Sequence, residues 1–166
     1  MRHCREIADI AVQRKSPYHR RAIHEFRNMN TAPAKLPPDA ELASTAGFNL
    51  FAGPFYRLGD DGEARRFAFI ALDKHMNAAG SVHGGLLMTF ADIAMSRTSR
   101  LVSGAKSCST VSVSCDFVSA GRLGDLIEIR VRVTRQTRTL VFLSSEIVAN
   151  GAVLMVANGL WRIVRE

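Results

Sequence analysis

One short run of the chain combines groups suited to carbonyl chemistry: His83-Gly84-Gly85, followed by Asp92. Asp92 is the one charge in the apolar stretch from Leu86 to Met95. A buried carboxylate is costly unless it is paired, hydrogen-bonded or put to use as a base or nucleophile. The two glycines open the same stretch, where a helix N-terminus leaves N–H groups unpaired and presents the positive end of its dipole to a developing oxyanion. Each feature alone has an ordinary explanation. A hydroxyl such as Thr89 or Ser96 could cap the Asp, and the histidine could belong to a plain glycine-rich turn. Together they describe a carboxylate and an oxyanion donor on one helix.

The helix that must carry them is predicted from Gly84 to about Val102. Leu86, Leu87, Met88, Phe90, Ala91, Ile93, Ala94 and Met95 surround it on every side, so it should be buried rather than amphipathic. Gly104 is placed to end it. From His83 to Asp92 such a helix spans roughly 13 Å at ~1.5 Å per residue. One reacting carbonyl cannot touch both ends. The spacing therefore requires the Asp to meet the glycine N–H of a second copy packed antiparallel to the first.

Strand patterns flank the helix. Phe48 to Leu58, a turn at Asp60-Asp61-Gly62, and Arg66 to Leu72 read as a hairpin. Downstream, Val111, Val113, Cys115 and Phe117 alternate with Thr110, Ser112, Ser114 and Asp116, and Ile127 to Val133 alternates in the same way. Leu140 to Val148 and Val153 to Val164 follow, joined by Asn150-Gly151, a strong hairpin-turn signal. The order hairpin, buried helix, meander predicts an α+β architecture in which an antiparallel sheet wraps one central helix. Residues 1–46 read as a helical N-terminal extension, with helices around Ile7 to Ala11 and His24 to Asn30 before Pro33, Pro37 and Pro38 break the pattern. Residues 47–166 form the single main domain.

Composition narrows the function classes. With 166 residues and 47% hydrophobic content, one packed domain is expected. No apolar run is long enough to span a membrane, and the N-terminus lacks a secretory pattern, so a cytoplasmic protein without membrane partners is expected. The three cysteines, Cys4, Cys108 and Cys115, are odd in number and lack metal-ligand spacing, which argues against a disulfide framework or a metal site. Cys115 lies on the apolar side of its strand, as a packed thiol would rather than a nucleophile. A net charge of +7 favours an anionic partner. The cations are scattered and lack interleaved aromatics, which disfavours nucleic acid and leaves a phosphate-bearing small molecule or a solvated basic face. Trp161 and the phenylalanines read as core.

The segment Asn77-Ala78-Ala79-Gly80-Ser81-Val82-His83-Gly84-Gly85 with Phe90-Ala91-Asp92 resembles the signature of the phenylacetate-pathway and human-type hotdog acyl-CoA thioesterases. Thr110-Val111-Ser112-Val113 and Leu123-Gly124-Asp125 resemble that family's downstream pattern, and the likeness covers roughly residues 45–165. The resemblance implies a hotdog fold, a homodimer or dimer of dimers, and an acyl-CoA substrate whose CoA moiety makes a separate cofactor unnecessary. It further implies that Asp92 is nucleophile or general base and that the Gly84 N–H polarises the carbonyl. His83 would fix the turn, Asn77 would hold thioester or water, and Thr110 would orient water or the Asp92 carboxylate. Gly85, Arg122 and Arg138 become candidate substrate and CoA contacts. The rival reading is a non-catalytic acyl-CoA sensor, since hotdog domains also serve as ligand-binding modules.

Overall fold

The computed structural model describes residues 34–43 and 46–164. The helices expected around Ile7 to Ala11 and His24 to Asn30 lie outside them, as does Cys4. In chain order the elements are β1 (Glu41–Leu42), α1 (Gly47–Ala52), β2 (Tyr56–Arg57), β3 (Arg65–Ile70), a 3-10 turn (Asp73–His75), α2 (Gly84–Ser103), β4 (Ser107–Phe117), β5 (Leu126–Gln136), β6 (Leu140–Ala149) and β7 (Ala152–Val164). The strands form one antiparallel sheet in the order β1-β2-β3-β5-β6-β7-β4. It packs around α2, giving the expected hotdog arrangement.

Two expectations about the strands are corrected. The stretch from Phe48 does not run as a strand into Leu58, because Gly47–Ala52 is helical and only Tyr56–Arg57 pairs with β3. The cause lies in the register. Leu42 pairs with Tyr56, and the Ala43 N–H donates to the Phe55 carbonyl (2.8 Å), so the intervening residues must turn back on themselves. The sheet thus reaches back to Glu41, ahead of residue 47. Secondly, the last four strands are not a simple meander. β5, β6 and β7 follow one another, but β4 crosses to the far edge and pairs with β7 alone. The turn at Asn150-Gly151 forms as expected, with both residues at positive φ (50° and 77°).

Helix α2 ends at Gly104, whose φ of 65° is the left-handed conformation of a helix C-cap. Its core side carries Leu87, Phe90, Ala91, Ala94, Met95, Thr98 and Ser99, all buried. It is not buried all round, however. Gly85, Met88 and Arg100 are exposed and Asp92 is half-buried, forming one uncovered stripe, while Leu101 is exposed on another side. Phe90 anchors the helix in an aromatic cluster: its ring stacks on Phe55 (5.2 Å between centroids) and meets Phe69 edge-on (4.8 Å). Such pairs add about 0.5–1.5 kcal/mol each beyond area burial, and they fix the helix two residues from Asp92. On the facing strand, Trp161 is fully buried. A Cβ at Gly159 would lie 2.5 Å from its ring, so only glycine leaves that ring its place.

Candidate active site

The start of α2 hangs from three backbone bonds. The Val82 N–H donates to the Gly121 carbonyl (2.9 Å) and the His83 N–H to the His75 carbonyl (2.9 Å), while the His83 carbonyl accepts from Leu86 (2.9 Å). His83 is the N-cap, and its Nδ1 accepts from the Gly85 N–H at 2.9 Å. That bond fixes the proton on Nε2 and satisfies the Gly85 N–H within the chain. Among the described residues no acceptor meets the Gly84 N–H. The turn therefore selects Gly84, rather than Gly85, as the open donor at the positive end of the helix dipole. Phe117 lies over it: a Cβ at Gly84 would stand 3.1 Å from the ring.

Asp92, two turns further along, accepts a hydrogen bond on Oδ1 from the Thr110 hydroxyl at 2.7 Å. Neither Thr89 nor Ser96, the caps considered from the sequence, supplies this bond, and Thr89 donates instead to the Gly85 carbonyl (2.9 Å). What aims Thr110 at the helix is a β-bulge. Thr110 pairs with Trp161 and Ser112 with Leu160, which leaves Val111 as an extra residue. Residues directly opposite share a face of the sheet. Thr110 therefore faces inward with Trp161, and beyond the bulge Val113, Cys115 and Phe117 face inward too. Strict alternation would have turned Thr110 away. Asp92 and Thr110 line an open groove of about 430 Å³ together with Phe48, Asn49, Met88, Thr89 and Val111.

Asn77 is occupied in building its own turn. Its Oδ1 accepts from the Ala79 (2.9 Å) and Ser81 (3.1 Å) N–H groups, and its Nδ2 donates to the Ser81 hydroxyl (2.9 Å). One Nδ2 hydrogen is left to offer a ligand. Arg122 and Arg138 are both exposed, and the structure does not bring them together. Arg122 precedes β5 and Arg138 follows it, so roughly 33 Å of strand at ~3.3 Å per residue separates them.

His75 and Arg97 carried no sequence signal strong enough to be singled out. His75 is buried, its Nδ1 accepting from the Leu72 N–H (3.0 Å) and its Nε2 lying 3.4 Å from the Gly53 carbonyl. Burial pushes its pKa down, against the pull of the Gly53 carbonyl, and Lys74 adds to the depression. Arg97 donates to the Ala43 carbonyl. Burial, and then the charges of Arg100 and Arg57, lower its pKa. Cys115 is a half-buried thiol whose pKa burial raises, with Asp116 adding to the effect, which suits packing rather than attack. No group of three potential metal ligands occurs among the described residues, and no described helix is long and apolar enough to cross a membrane.

Comparison with known proteins identifies the family. The family described as Thioesterase superfamily matches residues 79–156, a span that includes Gly84, Asp92 and Thr110. A candidate esterase of Pseudomonas aeruginosa is 30% identical over 115 residues, covering 67% of this chain and 84% of that protein. Human acyl-coenzyme A thioesterase 13 is 31% identical over 91 residues, covering 52% of this chain and 62% of its own length. The crystal structure of zebrafish thioesterase superfamily member 2 superposes with a TM-score of 0.66 at 21% identity, covering 74% of this chain and 91% of that one.

Proposed function

The chain belongs to the thioesterase superfamily and is a thioester hydrolase, and from that premise we propose that it cleaves acyl-CoA to free acid and CoA at a site completed by two copies of the chain. The observation that carries the assignment is the Thr110–Asp92 hydrogen bond in the open groove. It holds Oδ1 and leaves Oδ2 to act.

Asp92, as general base or nucleophile, starts the attack on the thioester carbon. When it acts as base, Oδ2 takes a proton from water, the hydroxide adds to the carbonyl carbon, and the oxygen that gains charge rests on a Gly84 N–H. Collapse breaks the carbon–sulfur bond and CoA leaves as thiolate, which takes back the proton held on Asp92 and restores the carboxylate. His83 shapes the donor by engaging Gly85, and the remaining Asn77 hydrogen is available to the thioester oxygen or the water.

Gly84 and Asp92 lie eight residues apart, about 12 Å along one helix, so the two halves of each site come from different protomers. Support comes from the uncovered stripe of α2 and from β4, whose outer edge no described strand pairs and whose Val111 is 57% exposed. A two-fold partner meeting both surfaces places each Asp92 near the opposite Gly84. Arg122 of one copy and Arg138 of the other remain candidate contacts for CoA phosphates. Half-buried, unpaired Cys108 and Cys115 suit a reducing cytoplasm.

Thiol release over a panel of acyl-CoAs tests the reading. Turnover should appear on at least one of them and vanish in Asp92→Ala while CoA binding persists. Full activity in that variant removes Asp92 from the mechanism, and tight binding without turnover on every substrate makes the protein a sensor.

A further inference from the structure

Adjoining the groove that holds Thr110, and sharing Asn49, Asp92 and Ile93 with it, lies a second pocket of about 250 Å³ whose further lining includes Ala43, Ser96, Arg97 and Arg100. Two arginines against the single carboxylate of Asp92 leave it net basic. Four arginines of the sheet have carboxylate partners: Arg57 and Arg65 with Asp60, Arg66 with Glu128, and Arg130 with Asp61. Among the described residues neither Arg97 nor Arg100 has one. Arg97 instead spends a hydrogen on the Ala43 carbonyl, and its charge faces those of Arg100 and Arg57. Half-burying a cation beside like charges is unfavourable unless an anion arrives.

We propose that this pocket is the acyl-end subsite and that it takes an acyl group ending in a carboxylate, the monothioester of a short dicarboxylic acid. The inference rests on the assignment of Asp92 above. Both candidate anions, an acyl carboxylate and a CoA phosphate, belong to the same substrate, and distance separates them. Arg97 and Arg100 follow Asp92 by roughly 7.5 Å and 12 Å along the helix, and helical side chains lean back toward the N-terminus, which shortens both spans. The diphosphate stands at the end of a pantetheine arm of about 15 Å when extended. A carboxylate four or five carbons beyond the thioester carbonyl fits the shorter span. Asn49 and Ser96 supply further polar contacts in the pocket, and the arginine fork suits a carboxylate.

Full-length protein is assayed by thiol release on glutaryl-CoA against valeryl-CoA and adipyl-CoA against hexanoyl-CoA, after subtraction of uncatalysed hydrolysis. The carboxylate-ended member of each pair should have kcat/KM roughly tenfold or more above its neutral partner. Arg100→Gln, which touches no backbone carbonyl, should collapse that ratio toward one, and Arg100→Glu should invert it. A wild-type ratio of one or less overturns the proposal while leaving the thioesterase intact, as does a ratio unchanged in both variants. If the variants instead lose discrimination between CoA and pantetheine thioesters of the same acid, the pocket is a phosphate site and the proposal fails. No hydrolysis of any thioester overturns both readings.

Discussion

The Thr110 hydroxyl donates to Asp92 Oδ1 at 2.7 Å from the far side of a β-bulge. It engages one carboxylate oxygen and leaves the other without a hydrogen-bond partner among the described residues. Hydrogen bonds to charged groups contribute about 1.5–3 kcal/mol, so Thr110→Val should lower kcat roughly ten- to hundredfold. Thr110→Ser, which keeps the hydroxyl, should retain most of the activity. Equal losses in the two variants, read by steady-state kinetics with circular dichroism confirming the fold, would remove the hydroxyl from the mechanism.

Gly84 can lose its N–H without losing its helix. It occupies the first helical position, where proline is tolerated, and the preceding His83 has extended φ and ψ of −64° and 128°. Gly84→Pro should therefore remain folded and lose about 10²–10³ in kcat, the usual cost of one oxyanion donor. Phe117, 54% exposed, has room to give way to the ring.

The same variant tests whether the site is shared. Gly84→Pro and Asp92→Ala each disable both sites of a homodimer, but a mixed dimer has one intact Gly84–Asp92 pair. Refolding the two together should restore about a quarter of wild-type activity when subunits mix at random. A mixture no more active than its parts would place both groups of one site on one chain.

Placing a cation on the free edge should separate the protomers. Val111→Lys changes an exposed side chain, so it should alter protomer stability by no more than ~0.5 kcal/mol. Two such charges would face each other near a two-fold axis. Sedimentation should show a shift toward monomer with a parallel fall in thiol release. Undiminished activity in a monomer would be incompatible with a shared site.

His75 gives the fold a pH dependence of definite sign. Its folded pKa lies below the ordinary value of about 6.5, so between the two the unfolded chain binds a proton that the folded chain does not. Unfolding free energy thus rises with pH in that interval and is lost as pH falls below about 6.5. Urea midpoints at pH 5.5 and pH 8 should differ, and His75→Gln should shrink the difference even if it lowers both midpoints. An unchanged difference would assign the effect to other groups.

Much of this structure is legible in the chain, for identifiable reasons. The apolar run from Leu86 to Met95 and the glycines bounding it locate α2, and Asn150-Gly151 marks its hairpin, because both signals are local. Non-local features are the ones that differ. Nothing within Phe48–Ala52 says that Leu42 and Tyr56 will pair and force the chain to turn back. Nothing within β4 says that it will join β7 at the sheet edge. Spacing placed Gly84 and Asp92 on one helix, yet which glycine N–H stays open depends on the His83 side chain, and which way Thr110 points depends on Val111. Arg97 and Arg100 read in the sequence as members of a scattered basic population, because only the folded structure shows that no described carboxylate pairs with them. His75 lay between two apolar segments without a motif to mark it.

The bulge at Val111 also bears on how the chain keeps to itself. A long, flat edge strand is a template on which further strands add without limit. One extra residue in β4 locally breaks the even rhythm of hydrogen-bonding groups on that edge and increases its twist, while Ser109, Ser112, Ser114 and Asp116 keep its outward face polar. An indiscriminate strand finds a poor match there, whereas a second copy carries the same irregularity and can meet it by symmetry. The residue that directs Thr110 toward Asp92 thereby also guards the protein against aggregation.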